Sequence, residues 1–129
     1  MADKLQFSLV SPERELFSGS VDQVDVPGTE GDLGILPNHS PLMAAIRTGV
    51  ITVTDGGATS QYFVAGGFAD VTPDGLTILA ERAMPLDDMD REALAGEIRD
   101  AEAAVSELTG DAQMAATQHL DGLKSVAGA

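Results

Sequence analysis

The sequence predicts an α+β protein. An N-terminal antiparallel β-sandwich or barrel of about eight to ten strands spans residues 1–85, and a C-terminal antiparallel two-helix hairpin spans 86–129. Three observations lead there. Residues 5–80 are short apolar or β-branched runs separated by Gly and Pro turns, the pattern of an antiparallel sandwich. After Pro85 there is no further proline, and Ala, Glu and Leu dominate. Thr109-Gly110-Asp111 then interrupts the helical pattern once, so that the second half folds back on the first.

At 129 residues and 43% apolar content, the chain supports one modest core, or a small core plus an appendage. With no cysteine, neither disulfides nor thiolate metal sites contribute. No apolar run approaches the roughly 18 residues needed to span a bilayer, which argues against direct membrane insertion. Met1-Ala-Asp-Lys-Leu-Gln-Phe7 has neither a signal-peptide core nor a transit-peptide composition, so a cytoplasmic bacterial chain is the simplest expectation. Seven basic against 21 acidic residues leave a formal charge of −14. Such a field repels nucleic acid and anionic lipid and favours partners with basic or neutral polar surfaces. It also serves the ordinary purpose of solubility.

Leu5, Phe7 and Leu9 alternate with Gln6 and Ser8, the two-residue period of a half-buried strand. Val21–Val26 reads as a second strand, stopped at Pro27-Gly28. Gly49–Thr54 is β-branched, and Asp55-Gly56-Gly57 signals a hairpin into Thr59–Val64. Gly66-Gly67 opens a run to Thr72, and Pro73-Asp74-Gly75 turns it into Leu76–Ala80. In the helical part, Leu86, Met89, Ala93, Leu94, Ile98, Ala101, Val105 and Leu108 recur at three- and four-residue steps. Asp87 or Asp88 is the expected N-cap, with Asp90 and Glu92 complementing the helix start. The second helix carries Met114 or Ala115, His119, Leu120, Leu123 and Val126 on one face. The facing sides are rich in alanine and bury little area, so the hairpin is expected to dock weakly on the sandwich.

Gly31 to Leu42 reads Gly-Asp-Leu-Gly-Ile-Leu-Pro-Asn-His-Ser-Pro-Leu. Gly34, Pro37, Asn38, Pro41 and Leu42 shape the loop, while Leu33, Ile35 and Leu36 offer apolar anchors. The expected result is a rigid connection presenting Glu30, Asp32 and His39 near the surface.

The residues that could carry chemistry do not assemble into a reactive pattern. His39 beside Ser40 lacks an orienting partner and a nucleophile-elbow sequence. Two distant histidines with no Cys argue against a metal site, and Asp87, Asp88 and Asp90 fit a helix start. The glycine pairs lack a following Gly-Lys-Ser/Thr, which excludes a P-loop. No partner suggests itself for His119. The expectation is a chain with no cofactor, no metal and no catalytic residue.

The Gly31–Leu42 sequence resembles the signature loop of the ε subunit of bacterial F-type ATP synthases, equivalent to the mitochondrial δ subunit. The resemblance extends to Val10-Ser-Pro-Glu-Arg-Glu-Leu-Phe-Ser-Gly19, to Gly66-Gly-Phe-Ala-Asp-Val71 and to the helical tail, essentially the whole chain. It implies a non-catalytic subunit of the rotating central stalk of a proton-translocating ATP synthase, peripheral on the cytoplasmic face of the inner membrane. The implied partners are the γ subunit, the membrane ring of c subunits and, through the hairpin in some relatives, the catalytic β subunit. By motif match, Glu30, Gly31, Asp32 and His39 face the ring, where carboxylates suit Arg and Gln groups.

In some relatives the hairpin rises to inhibit hydrolysis, or is held down by ATP bound at Ile/Leu-Asp-x-x-Arg-Ala. Here that motif would begin at Leu86-Asp87, but its Arg position holds Asp90, and Arg91 stands about 100° around the helix. From Asp87 to Ala129 there are ten acidic and three basic residues, which would repel an acidic loop of the β subunit. Nucleotide binding through Asp87 and Arg91 is therefore disfavoured, and inhibition is expected to be weak or absent. Two rival readings are an ATP-sensing regulator acting through the hairpin and an unrelated acidic adaptor with the same sandwich.

Overall fold

The computed structural model describes residues 4–129; the leader reading on Met1–Asp3 lies outside the described residues. Eight strands come first: β1 (Leu5–Val10), β2 (Glu15–Val21), β3 (Gln23–Gly28), β4 (Gly31–Ile35), β5 (Leu42–Ala45), β6 (Gly49–Asp55), β7 (Ala58–Thr72) and β8 (Gly75–Pro85). A single 3-10 turn, Leu86–Asp88, leads to α1 (Arg91–Glu107) and α2 (Gly110–Ala127).

The strands form one hydrogen-bonded path, β2-β1-β8-β7-β6-β3-β4, with β5 also on β7. That path doubles over into two layers because β7, at 15 residues, has two successive partners on one edge. Its first half pairs with β6, from Asp55 opposite Ala58 to Gly49 opposite Val64. Its second half pairs with β5, from Ala45 opposite Phe68 to Leu42 opposite Val71. The switch falls at Gly66-Gly67, which the sequence suggested as a strand start. Gly67 has φ 127°, and a Cβ there would stand 2.2 Å from the Leu79 carbonyl oxygen, so only glycine fits.

Alternation sets the core. In one layer Ala44, Ala69, Ile78 and Leu9 lie opposite one another in a row, and Ala69, Ile78 and Leu9 are buried. They meet Val24, Val26, Ile35, Ile51 and Val53 from the other layer, forming the sandwich core. The outer rows are also apolar. On the β6 side Val50, Phe63 and Met84 align, and the hairpin covers them. On the β5 side Ala45, Phe68, Leu79 and Val10 align, and Phe68 and Leu79 stay 54% and 56% exposed.

Several element expectations change. β2 was not anticipated, and Val21 ends it rather than starting the next strand. β3 runs through Pro27-Gly28: the β6 ladder ends at Asp25, β4 still pairs at Pro27 and Gly28, and the Pro27 carbonyl accepts from Arg47 N at 2.9 Å. The first part of the Gly31–Leu42 connection is strand β4. The α1 N-cap is Asp90, not Asp87 or Asp88: its extended backbone lets its carboxylate accept from Glu92 N at 2.9 Å. Asp87 and Asp88 belong to the preceding 3-10 turn.

The hairpin docks on the sandwich through one apolar cluster. Leu94, Ala101, Leu120, Leu123 and Val126 are buried against Phe63, joined by Val50, Met84, Leu86, Met89 and Ile98. Ala93, Leu108, Met114, Ala115 and His119, assigned to the apolar stripes, are exposed instead. Arg82 of β8 lies over the Phe63 ring and pairs with Glu97 of α1 at 2.5 Å. At Gly122 the helix meets the backbone of the bend before β6 directly, since a Cβ would fall 2.0 Å from the Thr48 carbonyl oxygen.

Candidate functional site

The acidic turn is built by the β3–β4 hairpin. Gly28 pairs with Gly31, which leaves Thr29 and Glu30 as its tip, and Pro27 pairs with Asp32. Glu30, Gly31 and Asp32 are exposed. Asp32 is bound on one side by the Arg47 guanidinium, yet its side chain remains 75% exposed. The Leu36–His39 turn follows, closed by His39 N donating to Leu36 O at 3.2 Å with Asn38 at φ 64°. Gly34 lies opposite Asp25, where a Cβ would stand 3.3 Å from Asp25 Oδ1. Pro41 is exposed, and Leu42 opens β5 half-buried against the core.

Gly28–Leu33 and Leu42–Ala45 line a cleft of 560 Å3. It brings Glu30, Gly31, Asp32 and Leu42 together. His39 is not among its lining residues; its Nδ1 lies 2.8 Å from the Ser40 carbonyl. The cleft can receive a cationic group on an aliphatic stem: Glu30 supplies charge, the Asp32 carboxylate being shared with Arg47, while Leu33, Leu42 and Met43 supply apolar contact.

A second surface escaped the sequence reading. The row Ala45–Phe68–Leu79–Val10 faces outward, and Met43 lies two residues along β5 at 68% exposure. Val10, Pro12, Phe68 and Leu79 line a shallow groove of 300 Å3 with Glu81 at its edge. The signal in the sequence was Ile78-Leu79, where apolar residues fall on both faces of one strand.

The weak nucleotide candidates do not converge. Asp87 lines a groove with Thr59–Tyr62, while Arg91 Nη1 donates to the Ala127 carbonyl at 3.0 Å, capping α2. His119, for which no partner was foreseen, has its Nδ1 2.6 Å from Thr48 Oγ1. Sequence could not supply that pairing, because the residues are 71 positions apart. Two ion pairs perturb titration elsewhere. Arg82 holds the Glu97 carboxyl below its usual range. Lys4, helped by the Gly56 amide, does the same for Asp22. Among the described residues no group of three His, Asp or Glu could hold a metal ion. No described helix is long and apolar enough to cross a membrane.

A sandwich carrying an acidic cleft and a bare apolar row, with a docked helical hairpin behind, defines a protein that offers surfaces to partners. Residues 4–86 match the family described as ATP synthase, Delta/Epsilon chain, beta-sandwich domain. The chain belongs to that family. It is 52% identical over 128 residues to the ATP synthase epsilon chain of Parvibaculum lavamentivorans, covering 98% of this chain and 97% of that one. With the epsilon chain of Maricaulis maris it shares 61% identity over 101 residues, 78% of this chain and 76% of that one. The fold is similar to a chain in the Euglena gracilis mitochondrial ATP synthase, OSCP/F1/c-ring structure. The TM-score there is 0.79 at 23% identity, covering 97% of this chain and 80% of that one.

Proposed function

We propose that this chain is the ε subunit of the central stalk in a proton-translocating ATP synthase, coupling the membrane ring to the γ subunit and the catalytic head. The observation that carries the reading is likeness to epsilon chains over nearly the whole length, hairpin included. The division of labour is residues 1–85 for binding stalk and ring, and 86–129 as a separate helical unit. Glu30, Gly31 and Asp32, with His39 on the neighbouring turn, face the polar loops of the c ring. The row of Phe68, Leu79 and Val10 faces γ. Glu15, paired opposite Val10, and Glu81, which lines the groove, suit an apolar helix face flanked by basic residues. The chain works at the cytoplasmic face of the bacterial inner membrane, as a peripheral part of the complex and without an active site of its own.

The reading as an ATP-sensing inhibitor is less well supported. Arg91 is engaged with Ala127 O. Ten acidic against three basic residues in the hairpin oppose insertion beside an acidic loop. Deleting residues 87–129 should leave ATP hydrolysis by the assembled enzyme nearly unchanged; strong activation would restore the inhibitor reading.

The central test mixes the purified protein with recombinant γ. The wild type should associate. A variant with Glu30, Asp32 and His39 replaced by Ala should still bind γ but fail to couple proton flow to ATP synthesis in membranes. No association of the wild type with γ would overturn the stalk assignment.

A further inference from the structure

Three residues within about one turn of α2 end on segments that carry or flank the acidic loop. Gln118 Nε2 donates to the Thr29 carbonyl at 2.8 Å, and His119 Nδ1 lies 2.6 Å from Thr48 Oγ1. Gly122 rests on the Thr48 carbonyl. Next to Thr48 stands Arg47, whose amide donates to Pro27 O at 2.9 Å and whose guanidinium binds Asp32. Arg47 also lines a groove of 590 Å3 together with Gln113, Gln118 and Asp121 of α2. The Thr29–Asp32 tip is therefore held at three points: the Thr29 amide donates to the Ala45 carbonyl at 3.0 Å, α2 holds the Thr29 carbonyl, and Arg47 holds Asp32.

We infer that α2 is a strut for the acidic loop: hairpin docking and the conformation of Thr29–Asp32 are coupled, with Gln118 and Arg47 as positioning residues. An exposed hairpin tip otherwise samples many backbone conformers. The Gln118 amide removes those that turn the Thr29 carbonyl away from α2, and Arg47 removes those that swing Asp32 outward. Coupling is reciprocal, so whatever fixes the loop also favours the docked hairpin. The consequence that a docked hairpin presents a pre-ordered acidic loop to the ring rests on the proposed stalk function. The coupling itself does not.

Amide hydrogen exchange on the isolated full chain tests it. Leu123→Ala removes a side chain with no solvent exposure from the hairpin–sandwich core and should speed exchange along α2. If the strut exists, amides of residues 30–33 exchange about fivefold faster in the same variant. Gln118→Ala, at the surface, should speed the loop amides about three- to fivefold, the loss of one hydrogen bond, while the β6 amides keep their rates. Combining the two should add little at the loop beyond Leu123→Ala alone, because both act through one contact. Opening of α2 with loop amides at wild-type rates would overturn the inference, as would an unchanged loop in Gln118→Ala. Should Leu123→Ala also loosen the sandwich, Gln118→Ala decides alone. Neither γ nor the ring is present, so failure here leaves the stalk assignment standing, and failure of γ association leaves this result standing.

Discussion

Two glycines in the two helices should respond oppositely to alanine. At Gly96 the nearest atom to an added Cβ is Arg99 Nη2 at 3.8 Å, an ordinary contact with a flexible side chain. Gly96→Ala should therefore stabilise by up to about 1 kcal/mol through helix propensity. At Gly122 the same propensity gain meets the Thr48 carbonyl at 2.0 Å. That oxygen belongs to buried backbone beside β6, fixed next to the Arg47 amide that bonds to Pro27. Restoring a 3.4 Å contact needs α2 to retreat by roughly 1.4 Å (3.4 − 2.0). The 2.6 Å His119–Thr48 bond would then open to about 4 Å, beyond hydrogen-bond range. Overpacking costs about 1–3 kcal/mol and the lost bond about 1, against a gain of about 1. Gly122→Ala should thus lose roughly 1–3 kcal/mol. Thermal unfolding followed by far-UV circular dichroism should show a drop of several degrees, with Gly96→Ala at or above wild type. Equal stabilisation by both changes would refute the docked position of α2.

The Arg82–Glu97 pair should make hairpin docking sensitive to acid. Glu97 has a folded pKa below its unfolded value, so its contribution is present above the unfolded value near 4.3 and is lost as pH falls through the folded one. The destabilisation caused by Glu97→Gln, read from melting temperatures across pH, should be visible near neutrality and fade below about pH 4. Gly67→Ala should cost at least about 3 kcal/mol, or prevent folding, since both φ and the Leu79 carbonyl exclude a Cβ; a soluble variant with wild-type denaturant midpoint would contradict the strand-switch geometry. Phe68→Asp and Leu79→Ser should change stability by less than about 0.5 kcal/mol yet weaken association with γ at least tenfold, measured by titration calorimetry. Met114→Ala, also an exposed apolar residue, should leave that association unchanged.

Local periodicity made most of the fold readable. The alternation of Leu5, Phe7 and Leu9, the Asp55-Gly56-Gly57 turn and the change of texture at Pro85 each report nearest-neighbour geometry. The hidden part was long-range. Nothing near Gly66-Gly67 says that one strand continues through it, because the reason lies in the Leu79 carbonyl. Nothing in α2 says that Gly122 is a contact point, because the contact is made by Thr48. The helix start went astray for a local reason: three aspartates compete at positions 87, 88 and 90, and the 3-10 turn Leu86–Asp88 takes up the first two and leaves Asp90 at the cap. The acidic tip was legible as a turn at Gly28 and Gly31. Its ties to Arg47 and Gln118 were not, since sequence separations of 15 and 89 leave no periodic trace.

The single run of β7 through both layers has a mechanical consequence. In most sandwiches two sheets adhere through side chains, and a sideways load is resisted by interdigitation alone. Here about 50 Å of covalent chain, 15 residues at roughly 3.3 Å each, is hydrogen-bonded into one layer at its start and into the other at its end. Sliding one layer over the other would require stretching that chain or shearing both ladders at once. A force entering at β5, beside the acidic cleft, passes along β7 to β6 and to the hairpin resting on it, with the β5–β7 and β6–β7 ladder hydrogen bonds, not packed methyl groups, as the links that yield first.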